Sequence, residues 1–123
     1  MKKAAGRKLI LKRIENSIAE AMPDTIGQNR NGTMFWLENK YLEDWPKRAS
    51  TLPLRGKFER GQLGFARQCR DWKGHAFVLI RVANDFILLN PSHPLDSMTK
   101  DELLSMATLI IGKEPIVSYL EKL

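Results

Sequence analysis

A single cysteine, Cys69, stands in the 123 residues, which excludes an internal disulfide and any cysteine-based zinc site within one chain. Such usage suits a reducing compartment. Histidine is nearly as scarce: His75 opens an apolar stretch and His93 sits in "PSHP", positions that suit structural or exposed roles better than catalysis. Long apolar runs are missing too. None approaches the ~20 residues of a membrane-spanning helix, and Lys12 and Arg13 interrupt the basic start "MKKAAGRKLILKRIENS" before a signal-peptide core can form. There is no repeat, linker or low-complexity tract. These absences point to a soluble, intracellular (cytoplasmic) chain with no membrane partner. Hydrophobic residues make up 43%, with three Trp and five Phe, enough for one core without staples.

Acidic residues are the next shortage. Twenty Lys and Arg against 14 Asp and Glu give a net charge of +6. The excess is uneven. Residues 1–90 hold 17 basic against 9 acidic side chains, and residues 91–123 hold 3 against 5. A field of that sign attracts polyanions, nucleic acid foremost.

Periodicity supplies the elements. Ile10, Ile14, Ile18 and Ala21 recur at helical spacing ahead of Pro23, which predicts a helix over 7–21. "PDTIGQNRNGTMFWLENK" reads as a hairpin: a short strand from Asp24, a turn around "NRNG" and a longer strand to Lys40. Residues 41–61 form a long connection with two prolines, of a length usually tied to function or mobility. A helix from about Gly61 to Trp72 follows, with Phe65, Cys69 and Trp72 as its apolar stripe and Gly74 as its stop. "HAFVLIRV" and "DFILLN" read as strands about a turn at Asn84 and Asp85. Two short helices close the chain, the first with Thr99 as N-cap and Glu102 three residues on.

Within the hairpin, "GTMFWLENK" behaves oddly. In an extended strand Met34, Trp36, Glu38 and Lys40 share a face, so an apolar face ends in a carboxylate and an amine. Asp24, at the start of the partner strand, can bring a second carboxylate to the same end of the sheet. Two nearby acids disfavour each other's charge unless something neutralises them, and an oxygen-preferring divalent cation such as magnesium does so. Lys40 beside the ion could orient an attacking water or offset charge developing on a phosphate. Plainer readings exist for each residue. Glu38 and Lys40 could be the solvated end of an edge strand, and Asp24 could cap a turn after Pro23. Arg67 and Arg70 read as a solvated helix face, and Trp36 and Trp72 as core.

"PD" at 23–24, "ENK" at 38–40 and "GQLGF" at 61–65 together resemble the PD-(D/E)xK nuclease superfamily, within it the virus-type replication-repair nucleases (VRR-NUC) and the Holliday-junction resolvases. The resemblance covers residues 7–83. It implies a mixed α/β, restriction-endonuclease-like fold with a helix-strand-strand-strand-helix-strand core, a central sheet flanked by helices, and short C-terminal helices. It also implies one nuclease domain over 1–123, with the core at 7–90 and a helical extension at 91–123. Asp24 and Glu38 take the positions of the metal-binding carboxylates, Asn39 offers its backbone carbonyl as a further ligand, and Lys40 is the motif lysine. Gln62 matches the glutamine that opens the second helix, and it lies three and seven residues before Phe65 and Cys69, hence on their inward stripe, where an amide needs a polar partner. The additional first-helix acid is Glu15 or Glu20, with Glu15 preferred because it lies beside Leu11 and Ile18 on the helical wheel. Two departures stand out: Asn39 occupies a position that is usually apolar, and the 41–61 connection is longer than the usual link.

That connection carries Lys47, Arg48, Arg55, Lys57 and Arg60, cations that could position a phosphate backbone, with Trp45 and Phe58 available to stack on a base. Two functions of different class follow. The first, implied by the resemblance, is a Mg2+-dependent endonuclease (Mn2+ substituting) hydrolysing DNA phosphodiesters in repair or recombination. Branched DNA, a Holliday junction or a flap, is its expected substrate. A twofold homodimer would supply the two cuts that a junction needs, and the apolar "DFILLN" and "TLIIGKEPIVSYL" could form its interface. The second is a non-catalytic, basic nucleic-acid-binding protein with a degenerate nuclease site.

Overall fold

A computed structural model describes residues 5–14, 23–108 and 113–123. Five strands make one sheet in the order β1-β2-β3-β4-β5: β1 Leu9–Arg13, β2 Thr25–Asn29, β3 Met34–Leu42, β4 Ala76–Val82 and β5 Asp85–Leu89. Helix α1 (Gln62–Asp71) lies between β3 and β4 in sequence, while α2 (Lys100–Met106) and α3 (Lys113–Glu121) follow the sheet. Of the described strand pairs only β3 and β4 run parallel, joined by the crossover that carries α1.

The first element differs from expectation. Leu9–Arg13 is a strand rather than the start of a helix, paired antiparallel with β2 from Leu9↔Asn29 to Arg13↔Thr25. Its "LILKR" also fits a period of two, with Leu9 and Leu11 turned to the core while Ile10 and Lys12 are exposed. A partner strand rewards that period, and it prevailed over the 3.6 spacing of the isoleucines. Ile18, Ala21, Glu15 and Glu20 lie outside the described residues.

Each face of the sheet has its own core. Phe35, Leu37, Phe77, Leu79, Phe86 and Leu88 pack with Ile116, Val117 and Leu120 of α3. On the other face Val78, Ile80, Val82, Ile87 and Leu89 pack with Leu54, Leu63, Leu95, Met98 and Leu103. Covered on both sides, β4 is buried from Ala76 to Ile80, hence its unbroken apolar run. "DFILLN" and the last helix therefore spend their apolar side chains inside the monomer. Among the described residues, most of the surface offered above for a dimer interface is not free; Leu109, Ile110 and Ile111 lie outside them.

The hairpin turn ties the last helix down. Asn29, buried, accepts from the Asn31 and Thr33 amides through Oδ1 and donates through Nδ2 to the Leu120 and Leu123 carbonyls, each at 3.0 Å. Gly27, between Leu11 and Phe35 in the register, leaves room for the Phe35 ring, into which a Cβ would run. Helix α2 opens with the expected capping box: Thr99 Oγ1 accepts from the Glu102 amide at 3.3 Å, and Glu102 Oε1 accepts from the Thr99 amide at 3.0 Å.

Helix α1 turns its expected stripe inward at Gln62 but not at its far end. Gln62, Leu63 and Ala66 are buried, Phe65 and Cys69 are half-buried, and Trp72 is 81% exposed. Trp72 is thus no part of the core. It sits at the helix end, where Lys73 adopts φ 69° and the chain needs Gly74, since a Cβ there would meet the Cys69 carbonyl oxygen at 2.9 Å. Arg67 and Arg70 are not merely a solvated face. Arg67 donates to the Pro91 and His93 carbonyls and Arg70 to that of Ala76, pinning α1 to the segments beside it.

Candidate metal centre

Strand β3 carries the site because its two faces end differently. Glu38 and Lys40 lie beside Val78 and Ile80 of β4 in the parallel register, on the face that α1 covers. Glu38 is 4% exposed. Burying a carboxylate is costly unless its oxygens find partners, and only one does. Glu38 Oε1 accepts from Gln62 Nε2 at 3.1 Å and lies 3.4 Å from Lys40 Nζ. Glu38 Oε2 is buried without a hydrogen-bond partner.

Gln62 holds this group together from the first turn of α1. Its Oε1 accepts from Lys40 Nζ at 3.1 Å and from the Glu59 amide at 2.9 Å. Both are donors only, so the amide orientation is forced and Nε2 must face the carboxylate. The Lys40 ammonium also lies 5.1 Å from the centroid of the Phe58 ring, which offers it a π face. The sequence offers Phe58 and Trp45 as rings that could stack on a base; both are partly buried against the core, Trp45 with Lys100 Nζ 5.3 Å from its ring centroid. The Glu59–Gln62 contact had a legible signal, the i, i+3 reach of a side chain back to a preceding amide. The Phe58–Lys40 contact had none.

Asp24 enters from the bend before β2. Its Oδ2 accepts from the Asn39 amide at 3.0 Å, and Asn39 Nδ2 donates to Thr25 Oγ1 at 3.1 Å. The pairing of β2 with β3 stops at Thr25↔Leu37. Carried two residues further, that register would set Pro23 opposite Asn39, and a proline has no N–H with which to claim that residue's carbonyl. Thus Pro-Asp at a strand start has a local meaning: the acid takes up one backbone group of β3, and the proline leaves the other.

The two carboxylates feel one another. Glu38 is pushed up from 4.5 to about 7, first by burial, then by the negative charge of Asp24 and by a hydrogen bond to the Asp24 carboxylate that only protonated Glu38 makes, with Lys40 pulling the other way. Among the described residues no group of three or more His, Cys, Asp or Glu converges as a ready metal cage. The expected third acid, Glu15 or Glu20, is outside them. The donor set present is two carboxylates and a carbonyl, oxygen ligands that fit a hard divalent cation, and the orphaned Glu38 Oε2 is the atom such an ion would satisfy.

The remaining sequence candidates lie beyond this cluster. Lys47, Arg48, Arg55, Lys57 and Arg60 are all exposed on the 43–61 connection, whose far end returns through Phe58 and Glu59 to Lys40 and Gln62. No described helix is long and apolar enough to cross a membrane.

No family model and no curated protein matches the sequence. Fourteen chains of solved structures match the fold. One is Hjc of Archaeoglobus fulgidus, a Holliday junction resolvase from an archaeal hyperthermophile, with a TM-score of 0.59 and 13% identity over 94% of this chain and 90% of that one. The protein therefore has a mixed α/β, restriction-endonuclease-like fold, similar over nearly its whole length to that of a Holliday junction resolvase.

Proposed function

We propose that the protein is a divalent-metal-dependent endonuclease that hydrolyses DNA phosphodiesters, selective for branched DNA. The observation that carries this reading is the cluster of Asp24, Glu38, Lys40 and Gln62, in which a buried carboxylate oxygen has no partner of its own. Asp24, Glu38 and the Asn39 carbonyl would hold Mg2+, with Mn2+ able to replace it. When bound, such an ion polarises a phosphoryl oxygen and lowers the pKa of a bound water. Lys40, held by Gln62 and Phe58, faces charge that develops on the phosphate. The 43–61 cations neutralise flanking phosphates and set the strand's position. The resemblance in fold to Hjc supports the resolvase branch over the virus-type branch, and with it a junction or flap as substrate in repair or recombination. One site per chain and two strands to cut call for a homodimer.

The test is cleavage of labelled four-way junction, flap, single-stranded and linear duplex DNA, with Mg2+ and with chelator. Asp24→Ala and Glu38→Ala are expected to abolish metal-dependent cleavage, and Lys40→Ala to cleave poorly while still binding metal. Undiminished cleavage by both acid variants sinks the site. The second reading, a binding protein with a degenerate site, draws on the convergence of only two acids among the described residues. It predicts tight DNA binding and no cleavage under any metal.

A further inference from the structure

Helix α1 and the sheet leave one apolar stretch uncovered. Among the described residues the exposed large apolar side chains are Ile10 (60%), Met34 (52%), Tyr41 (59%), Met106 (50%) and Trp72 (81%), and Ile10, Met34 and Trp72 lie on the α1 side of the sheet. Ile10, Gln28 and Met34 stand side by side across β1, β2 and β3, and the next row on the same face is Lys12, Ile26 and Trp36. Trp36 meets Phe65 edge-on, with ring centroids 5.6 Å apart. From Phe65 a groove runs along α1 past Gln68 and Cys69 to Trp72.

Continued along β3, the same face reaches Glu38 two residues beyond Trp36, so this stripe starts at the candidate metal centre. Its charged neighbours are mostly cations. Lys12 lies within the rows, Lys73 follows Trp72, and Arg7, Lys8 and Arg30 are exposed at the far end of β1 and β2. Asp71 is the one acid adjoining Trp72 in sequence. An indole held proud at a helix end, apolar side chains beside it and amines around them suit a ligand that is flat, aromatic and polyanionic. An unpaired nucleic-acid strand has that chemistry, because bases stack on aromatic faces while phosphates meet the cations.

We propose that the stripe from Trp36 along α1 to Trp72 is a docking surface for an unpaired DNA strand leaving the metal centre, with a base stacked on Trp72. It rests on the reading of DNA as the substrate and adds what that reading lacks, a reason to prefer DNA with unpaired nucleotides at the branch. The stripe receives the splayed strand, and the 43–61 cations hold the duplex arm.

Binding is measured in chelator, so that cleavage plays no part, with a fluorescently labelled duplex bearing a single-stranded tail and with the blunt duplex of the same sequence. Trp72→Ala is expected to lose about tenfold in affinity for the tailed DNA and less than twofold for the blunt one. Trp72→Phe, which keeps a ring, is expected to recover most of the loss. The side chain is so exposed that the fold should be untouched, which circular dichroism checks. If Trp72→Ala binds both DNAs as the parent does, the surface is not a base-stacking site. If the variant instead changes the sedimentation of DNA-free protein without changing the tailed-to-blunt ratio, the stripe is a contact between copies and the proposal fails. Absence of binding by the parent to either DNA would defeat the nuclease reading as well. Loss on the tailed DNA alone supports both.

Discussion

At the residue scale, Glu38 carries the most testable chemistry. Its carboxyl is raised to about 7 in the folded chain from 4.5, so between those values the folded state holds a proton that the unfolded state has released. Without metal, stability therefore falls as pH rises through that window, by at most about 3 kcal/mol. Urea unfolding in chelator from pH 4.5 to 8 should show it as a gap between the parent and Glu38→Gln that shifts toward the variant with rising pH and levels above pH 7. Added Mg2+ at pH 8 should stabilise the parent and leave the variant nearly unaffected. A gap independent of pH would mean that Glu38 ionises freely. Lys40 gives a second prediction. Removing the ring beneath it in Phe58→Leu should cut kcat about two- to tenfold with DNA affinity held, and Phe58→Tyr should restore it. An equal loss in affinity would make Phe58 a DNA contact instead. Glu38 and Lys40 were legible because they end an apolar strand face in charges, whereas Asp24 and Gln62 stood out only in combination with them and through the family resemblance. Phe58 was not, because an aromatic in a loop carries no sign of which cation it will lie beneath.

Elements were legible where two cues agreed. The hairpin turn, the β4–β5 pair and the Thr99 capping box each combine a local residue preference with a matching period, and the structure has all three. Residues 9–13 had competing periods, and a pairing partner 12 to 20 positions along the chain chose between them. Helix α1 and the inward place of Gln62 on it were legible, and Gln62 is buried there, whereas Trp72, read on the same stripe, is exposed. Apolar spacing carries no sign of Asn29, which holds the β2–β3 turn and the end of α3 at once. Asn29→Ala leaves buried carbonyls and amides without partners and should cost about 1–3 kcal/mol. Asn29→Asp keeps the turn's acceptor but sets a carboxylate against two carbonyl oxygens, so it should be no better. Thermal unfolding of both variants checks this, and native stability in Asn29→Ala would show that the last helix is held by Ile116, Val117 and Leu120 alone.

For the whole molecule, charge and topology divide the work. The two cores take up Phe86, Ile87, Leu88 and Leu89 of "DFILLN" and Ile116, Val117 and Leu120 of the last helix, so the dimer proposed here cannot rest on those side chains. Stoichiometry is the remaining reason for it, and light scattering with and without a four-way junction decides. The basic excess of residues 1–90 was legible, but its placement was not, since sequence cannot say that the 43–61 connection leaves its cations in solvent while returning Phe58 and Glu59 to the site. That arrangement leads to a prediction about DNA affinity as distinct from chemistry. Lys47, Arg48, Arg55 and Lys57 are exposed, so neutralising all four should leave the fold intact. Every phosphate that the protein no longer neutralises takes about 0.9 off the slope of log affinity against log salt. The fourfold variant should therefore bind duplex DNA with a slope shallower by about 2 to 4, and its affinity should converge on the parent's as salt rises. An unchanged slope would place the duplex on another surface, and the exposed cations at Arg7, Lys8 and Arg30 would then be the next to replace.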